Sequence, residues 1–386
     1  MSEWKECKLA DAPFEIIDGD RGTNYPKQDE FNQNGYCLFL DAKNVTTDGF
    51  TFNECFFISK ERDEKLRKGK LQRNDIVLTT RGTVGNIGFF NSRIPYENIR
   101  INSGMVIIRP DCSDILPEYT HQLFKYLKGD FDVYATGSAQ PQLPIRDLKE
   151  ISFLLPRLPE QRAIAGVLSR LDDKIDLLRR QNRTLEGMAE ALWRKMFVED
   201  DTNSRIVSLG EIIDIHDSKR IPLSSMQREK MKDGVLYPYY GAATIMDYIN
   251  QYIFDGEYLL LGEDGTVETD DGYPVLQLAT GKFWVNNHAH VLRARKPFSN
   301  FLLYIILRNT SISHIVTGAV QPKINQENLK SLEISSAKGV IVDELSVLVD
   351  DFWHKIQANN SQLIALSRLH DTLLPKLMSG EVRVKL

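Results

Sequence analysis

Between residues 158 and 197, apolar side chains recur at Ile164, Leu168, Leu171, Ile175, Leu178, Leu185, Ala189, Leu192 and Met196, and Asn182 takes the one polar place in the series. The steps alternate between four and three residues, which is the spacing of a heptad seam and predicts one long amphipathic helix. Pro159 and Glu160 suit its first turn: a proline there forfeits no hydrogen bond, and an acid favours the positive end of the helix dipole. Adding 181 to each number reaches Leu345, Val349, Phe352, Ile356, Asn359, Leu363, Leu366, His370, Leu373 and Leu377, a second seam in the same phase. At ~1.5 Å per residue each helix is about 50–60 Å long.

Two matched seams predict partners in an intramolecular coiled coil, and the asparagines predict its direction. Asn182 is the sixth of ten layers in the first helix, and Asn359 the fifth of ten in the second. A parallel pair would set each amide against an apolar side chain. An antiparallel pair sets Asn182 against Asn359, where the amides satisfy each other and hold the register. The same pairing puts small Ala189 opposite bulky Phe352, as constant packing density requires.

The 181-residue shift also relates two phrases, "GSAQPQLPIRDLKEI" from Gly137 and "GAVQPKINQENLKSL" from Gly318. Each phrase closes a segment of short β-like runs broken by Gly, Asn and Asp. The division expected is therefore a first globular domain at 1–156, a long helix at 157–198, a second globular domain at 199–336 and a second long helix at 337–386. The fold class is α+β: two heads joined by two long antiparallel helices with pseudo-twofold symmetry.

Composition narrows the class. With 386 residues, more than one core is expected. The start, "MSEWKECKLADAPF", lacks the basic and apolar parts of a signal peptide, and no apolar run is long enough to span a bilayer. Cys7, Cys37, Cys55 and Cys112 form no C-x-x-C pair and read as reduced thiols of a cytoplasmic protein. A net charge of −5 argues mildly against non-specific coating of nucleic acid, but does not exclude a site-specific reader.

Catalytic signatures are missing. "RGTVGNIG" (81–88) lacks the G-K-[ST] ending of a phosphate loop and reads as tight turns, while the acidic "GEDGTVETDDG" (262–272) has the wrong spacing for a calcium loop. His288 and His290 could share a strand face but have no evident third ligand, so no metal is expected. Both heads instead carry loops rich in side chains able to bond bases or phosphates. The candidates in the first head are Arg21, Asn24, Tyr25, Lys27, Lys43, Asn44, Arg81, Thr83, Asn86 and Gln140. In the second they are Lys219, Arg220, Tyr239, Tyr240, Lys282, Asn286, Asn287 and Gln321. Any one such loop is more often a polar turn, though recurrence in equivalent parts of two repeated units favours binding, and Gln140 and Gln321 can equally pack each head onto its helix.

The phrase around Gln140–Leu148, the helix start "LPRLPEQRAIAGVLSRLDDKI", and the helix ends "LWRKMF" and "LLPKLMSGEV" resemble the specificity subunit of type I restriction–modification systems. That resemblance covers nearly the whole chain. It implies a non-catalytic reader of double-stranded DNA whose two target-recognition domains each take half of a gapped target. The helices would set the gap and dock two modification (methyltransferase) subunits, which restriction (motor-nuclease) subunits join. S-adenosylmethionine, ATP and magnesium would belong to those partners, with no cofactor on this chain. The second helix begins "AKGVIVDELSVLVDDFW" and departs from the pattern by lacking Pro-Glu-Gln, which puts its start and partner contacts in question. The competing readings are a coiled-coil scaffold for protein partners, and a nuclease or methyltransferase in one chain.

Overall fold

The computed structural model describes residues 4–137, 141–200, 202–318 and 320–385. It divides into two compact units, Met1–Asp176 with Ile364–Leu386, and Leu177–Leu363. The long helices, Leu158–Trp193 and Gly339–Met378, contribute part of their length to each unit.

In the first unit a four-stranded sheet runs in the order Phe14–Asp18, Met105–Pro110, Ile76–Thr79, Ile87–Phe89. Its central strands are continuous apolar runs because both faces are covered. Ile76, Leu78, Val106 and Ile108 pack toward the helix Pro117–Tyr126, whereas the alternate residues Val77, Met105 and Ile107 pack with Leu38, Leu40 and Ile99. The strand Lys5–Lys8 pairs antiparallel with Ser152–Leu155 and closes the head immediately before the long helix.

The Pro-Glu-Gln start of that helix is a junction. Gln161 is fully buried; its Oε1 accepts from Leu116 N at 2.9 Å, and its Nε2 donates to Asp114 O at 3.1 Å and Pro156 O at 3.0 Å. Glu160 accepts from Trp4 Nε1 at 3.1 Å and Arg383 Nη1 at 2.6 Å. These bonds fasten the first turn to the head. At the shifted positions the second helix carries Ile341 and Val342, which pack into an apolar cluster, so contact between side chains replaces the hydrogen bonds.

In the second unit the sheet has six strands, ordered Ile213–Ile215, Ala289–Ala294, Phe254–Gly262, Leu276–Val285, Tyr237–Tyr240, Ile245–Ile249. The first four repeat the first unit's sheet in order and register: Ile108 pairs with Ile16 as Leu292 pairs with Ile215, and Met105 with Thr79 as Ala289 with Gly262. The strand Ser204–Ser208 pairs antiparallel with Glu333–Ala337, as Lys5–Lys8 pairs with Ser152–Leu155 in the first head.

The long helices are antiparallel within each unit. In the first, Ile164 and Leu168 share a cluster with Leu374 and Leu377, and Asp172 lies 3.5 Å from His370. In the second, Asn359 Nδ2 donates to Asn182 Oδ1 at 2.8 Å, the predicted layer. One detail differs from expectation. The amides do not satisfy each other reciprocally: Asn182 Nδ2 turns to Asn360 at 2.8 Å, and the buried Oδ1 of Asn359 has no partner. Among the described residues no helix is long and apolar enough to cross a membrane.

Candidate nucleic-acid interface

In its described residues the duplicated phrase folds the same way twice. Thr136 and Gln142 exchange backbone hydrogen bonds of 2.8 Å each, and Thr317 and Lys323 do so at 2.8 and 2.7 Å. Gly137 and Gly318 begin each loop at φ +93° and +90°, where a Cβ is strained, and a Cβ on Gly318 would stand 2.4 Å from Gln321 O. Gln140 lies outside the described residues.

Each loop clamps a turn from the sheet. Leu143 N donates to Thr80 O (2.8 Å) and Gly82 N to Pro141 O (3.0 Å); in the second unit Ile324 N donates to Glu263 O (2.9 Å) and Gly265 N to Pro322 O (3.0 Å). Gly82 and Gly265 both have φ +78°. Beside each turn stands an Asp-x-x-Arg pair. Arg21 donates to Asp18 at 3.1 Å and to Ser103 O at 3.2 Å, and Arg220 lies 3.5 Å from Asp217 and 3.4 Å from Asn287 O. In the first unit Asp18, Arg21, Thr80, Arg81, Ser103 and Gln142 line a cleft.

The two sites differ in charge. In the second unit Arg220 Nη1 reaches Glu263 Oε2 at 2.5 Å and Ala289 O at 2.7 Å, while buried His290 directs Nδ1 to Asp217 (2.6 Å) and Nε2 to Ile324 O (2.9 Å). Burial pushes the Asp217 carboxyl up, but the bond and charge of His290, the Val291 N–H and Arg220 outweigh it and hold the group below the usual carboxylate range. Asp217, Glu263 and His290 offer ligand atoms all within 4.8 Å of one another, so His290 does meet two acidic residues that the sequence did not reveal as neighbours. Arg220 and Lys323, the latter 3.5 Å from Glu263, already supply the positive charge a cation would bring, and the cluster is built as an ion network.

Several candidates from the sequence turn inward, because a buried polar group must find its partner inside the protein. Asn44 accepts from Asp41 N (3.0 Å) and donates to Thr51 O (3.2 Å) and Glu54 O (2.8 Å); Asn86 donates to Val45 O at 2.9 Å. Tyr239 is 1% exposed, its hydroxyl accepting from Leu223 N at 3.0 Å under the guanidinium of Arg228. Asn286 accepts from His288 N at 2.8 Å, Arg220 sits in the network above, Tyr25 packs edge-on to Phe39 and Tyr240 to Phe283, and Asn24 reaches Lys65 O at 3.4 Å. These side chains brace the heads rather than face solvent freely. Arg21, Lys27, Lys43, Thr83, Lys219, Lys282, Asn287 and Gln321 are exposed, and Arg81 is partly so. Lys43 lies 3.3 Å from Glu54, and Lys282 stands 4.6 Å from the ring centre of Tyr252, whose hydroxyl raises its ammonium above the ordinary lysine range.

Residues outside the candidate set complete the sites: Gln142 and Lys323 in the loops, and Asp264, which stands where Arg81 stands in the first unit and holds Nδ1 of His288. Their equivalence was signalled by Gly-Thr-Val at 82–84 and again at 265–267, near the 181-residue shift but displaced from it by two.

Known proteins share this plan. The chain is 26% identical over 353 residues to the type I restriction enzyme MjaIX specificity subunit of Methanocaldococcus jannaschii, covering 81% of this chain and 78% of that one. It is 24% identical over 289 residues to the EcoprrI specificity subunit of Escherichia coli, covering 70% and 69%. The crystal structure of the type I restriction–modification S subunit from M. genitalium superposes with a TM-score of 0.62 at 16% identity, over 97% of this chain and 96% of that one, and so shares the fold. The sequence model of the type I restriction modification DNA specificity domain matches residues 1–187 and 202–358, and the chain belongs to that family.

Proposed function

We propose that this chain is the non-catalytic DNA-reading subunit of a type I restriction–modification complex in the cytoplasm, each head reading one half of a gapped duplex target. The observation that carries the reading is the same clamp of loop on turn, built once on each of two equivalent sheets, with different side chains at matched positions. A protein that holds one backbone frame in both halves and varies only what protrudes is suited to two grooves of pseudo-twofold DNA carrying different sequences. The long helices act as the spacer and as the docking surface for two modification subunits, which restriction subunits join. S-adenosylmethionine, ATP and magnesium then reside on those partners.

The test is selection from a randomised duplex library by the chain co-purified with its modification subunit. A two-part motif with a fixed gap is expected, with affinity falling steeply as salt rises, because Lys and Arg displace counterions from phosphates. A contiguous motif would remove the spacer role. Absence of any salt-sensitive enrichment would favour a scaffold for protein partners instead.

A further inference from the structure

The two clamped turns differ most at their middle residue. Arg81 and Asp264 occupy the same place: the flanking residues on both sides are tied to the duplicated loop, and each middle residue bridges to that loop, Arg81 to Gln142 and Asp264 to Lys323. Arg81 N also donates to Gly104 O at 3.2 Å. A backbone held from three directions has little of its own entropy left to lose on binding, so only the side chain's rotamers remain to be fixed.

The next-door position changes with it. Gly104 in the first unit matches His288 in the second by strand register. A Cβ on Gly104 would lie 3.6 Å from Arg81 Cβ, so 81 and 104 are direct neighbours, just as Asp264 and His288 are bonded neighbours. The pair Arg–Gly in one head has become Asp–His in the other.

The state of each pair is also informative. The other eight arginines of the first head each reach a carboxylate or a carbonyl. Among the described residues, the guanidinium of Arg81 is the one in that head without such a partner, and it borders the cleft. In the second unit the Asp264 side chain is 16% exposed and the His288 side chain 46%, so the imidazole is the outward group and the carboxylate its support.

We infer that these turns are the same base-reading position in the two heads, where Arg81 reads a guanine and His288, oriented by Asp264, reads the matched position of the other half-site. The inference rests on the DNA-reading function proposed above. A guanidinium offers two parallel donors to guanine O6 and N7. An imidazole whose Nδ1 is held by Asp264 presents only Nε2, one bonding atom where a guanidinium presents two. The first half-site therefore carries a guanine with a strong preference at one base pair, and the second has a weaker preference at the matched pair. Asp264 is a positioning residue.

The experiment is library selection by the full chain with its modification subunit, repeated for Arg81→Ala, Arg81→Lys, His288→Ala and Asp264→Asn. Arg81→Ala is expected to cut guanine preference about ten- to a hundredfold at one base pair of one half-site, and Arg81→Lys to cut it less, because a lysine can also donate to guanine O6 and N7. Arg81→Lys keeps the charge and so keeps the salt slope, which separates base reading from phosphate contact. His288→Ala is expected to flatten one position of the other half-site, and Asp264→Asn to weaken that same position less. If the unmodified chain yields a two-part motif that Arg81→Ala and His288→Ala leave unchanged, this inference is overturned while the DNA-reading function stands. Selection of no motif by the unmodified chain overturns both.

Discussion

Asn359 donates its Nδ2 amine to Oδ1 of Asn182 at 2.8 Å, and Asn182 passes its own amine to Asn360 at 2.8 Å, so the polar layer is a relay rather than a reciprocal pair. The relay makes the two asparagines unequal. Asn182→Leu removes both bonds and leaves the buried Asn359 only a long 3.5 Å bond to Gln181 Oε1, whereas Asn359→Leu keeps the bond to Asn360 and deletes an oxygen that already lacks a partner. The first change is expected to cost about 1–3 kcal/mol and the second distinctly less. Changing both to Leu should recover stability and loosen the register. Thermal melts of the three variants decide; equal losses for the single changes would contradict the relay.

Gln161 joins the helix start to the first head through three hydrogen bonds in a site without solvent. Gln161→Leu strands one amide N–H and two carbonyls, each costing on the order of 1–3 kcal/mol if left bare. A fall in melting temperature is expected together with faster amide exchange at Leu116, whose N–H loses its acceptor. Unchanged exchange there would mean that water or the backbone replaces the glutamine.

Asp217 carries a prediction about acid. Its folded pKa is depressed, so the unfolded chain binds its proton more readily; the stabilisation is complete above the unfolded value of about 3.9 and is lost as pH falls through the folded one. At neutral pH Asp217→Asn should cost about 1–3 kcal/mol, because Nδ1 of His290 and the Val291 N–H lose a charged acceptor while Glu263 still holds Arg220. The difference between the natural chain and the variant, followed by chemical denaturation from neutral pH downward, should shrink below about pH 4. A difference independent of pH would place the effect in packing.

The duplicated phrase makes a prediction about glycine. Gly82 and Gly318 both lie at positive φ, but a Cβ on Gly82 meets nothing within 4 Å, whereas one on Gly318 meets Gln321 O at 2.4 Å. Gly82→Ala should cost only the backbone strain, about 1–2 kcal/mol. Gly318→Ala must also shift the loop, and should lower DNA affinity through the second half-site alone. Equal affinity loss from both half-sites would argue against independent heads.

The helices and their register were legible because a heptad seam is local. Leu168, Leu171 and Ile175 share a face whatever surrounds them, and an odd amide among apolar layers has one sensible partner. The duplicated phrase was legible for a related reason: Gly137 and Gly318 sit in the same left-handed backbone and tolerate little else. Side chains on the loops follow no such period. Asn44 and Tyr239 look as ready to meet DNA as Arg81 does, yet hydrogen bonds to the backbone of adjoining segments turn the first two inward and leave the third at a cleft. The match of Arg81 with Asp264 was hidden as well. Insertions between strands change the numerical offset from 199 at Asp18 and Asp217, to 183 at Gly82 and Gly265, to 181 at Gly137 and Gly318. Sheet register and the clamp of loop on turn restore the correspondence in space, because backbone hydrogen bonds pair positions by geometry and take no account of the residues inserted between them.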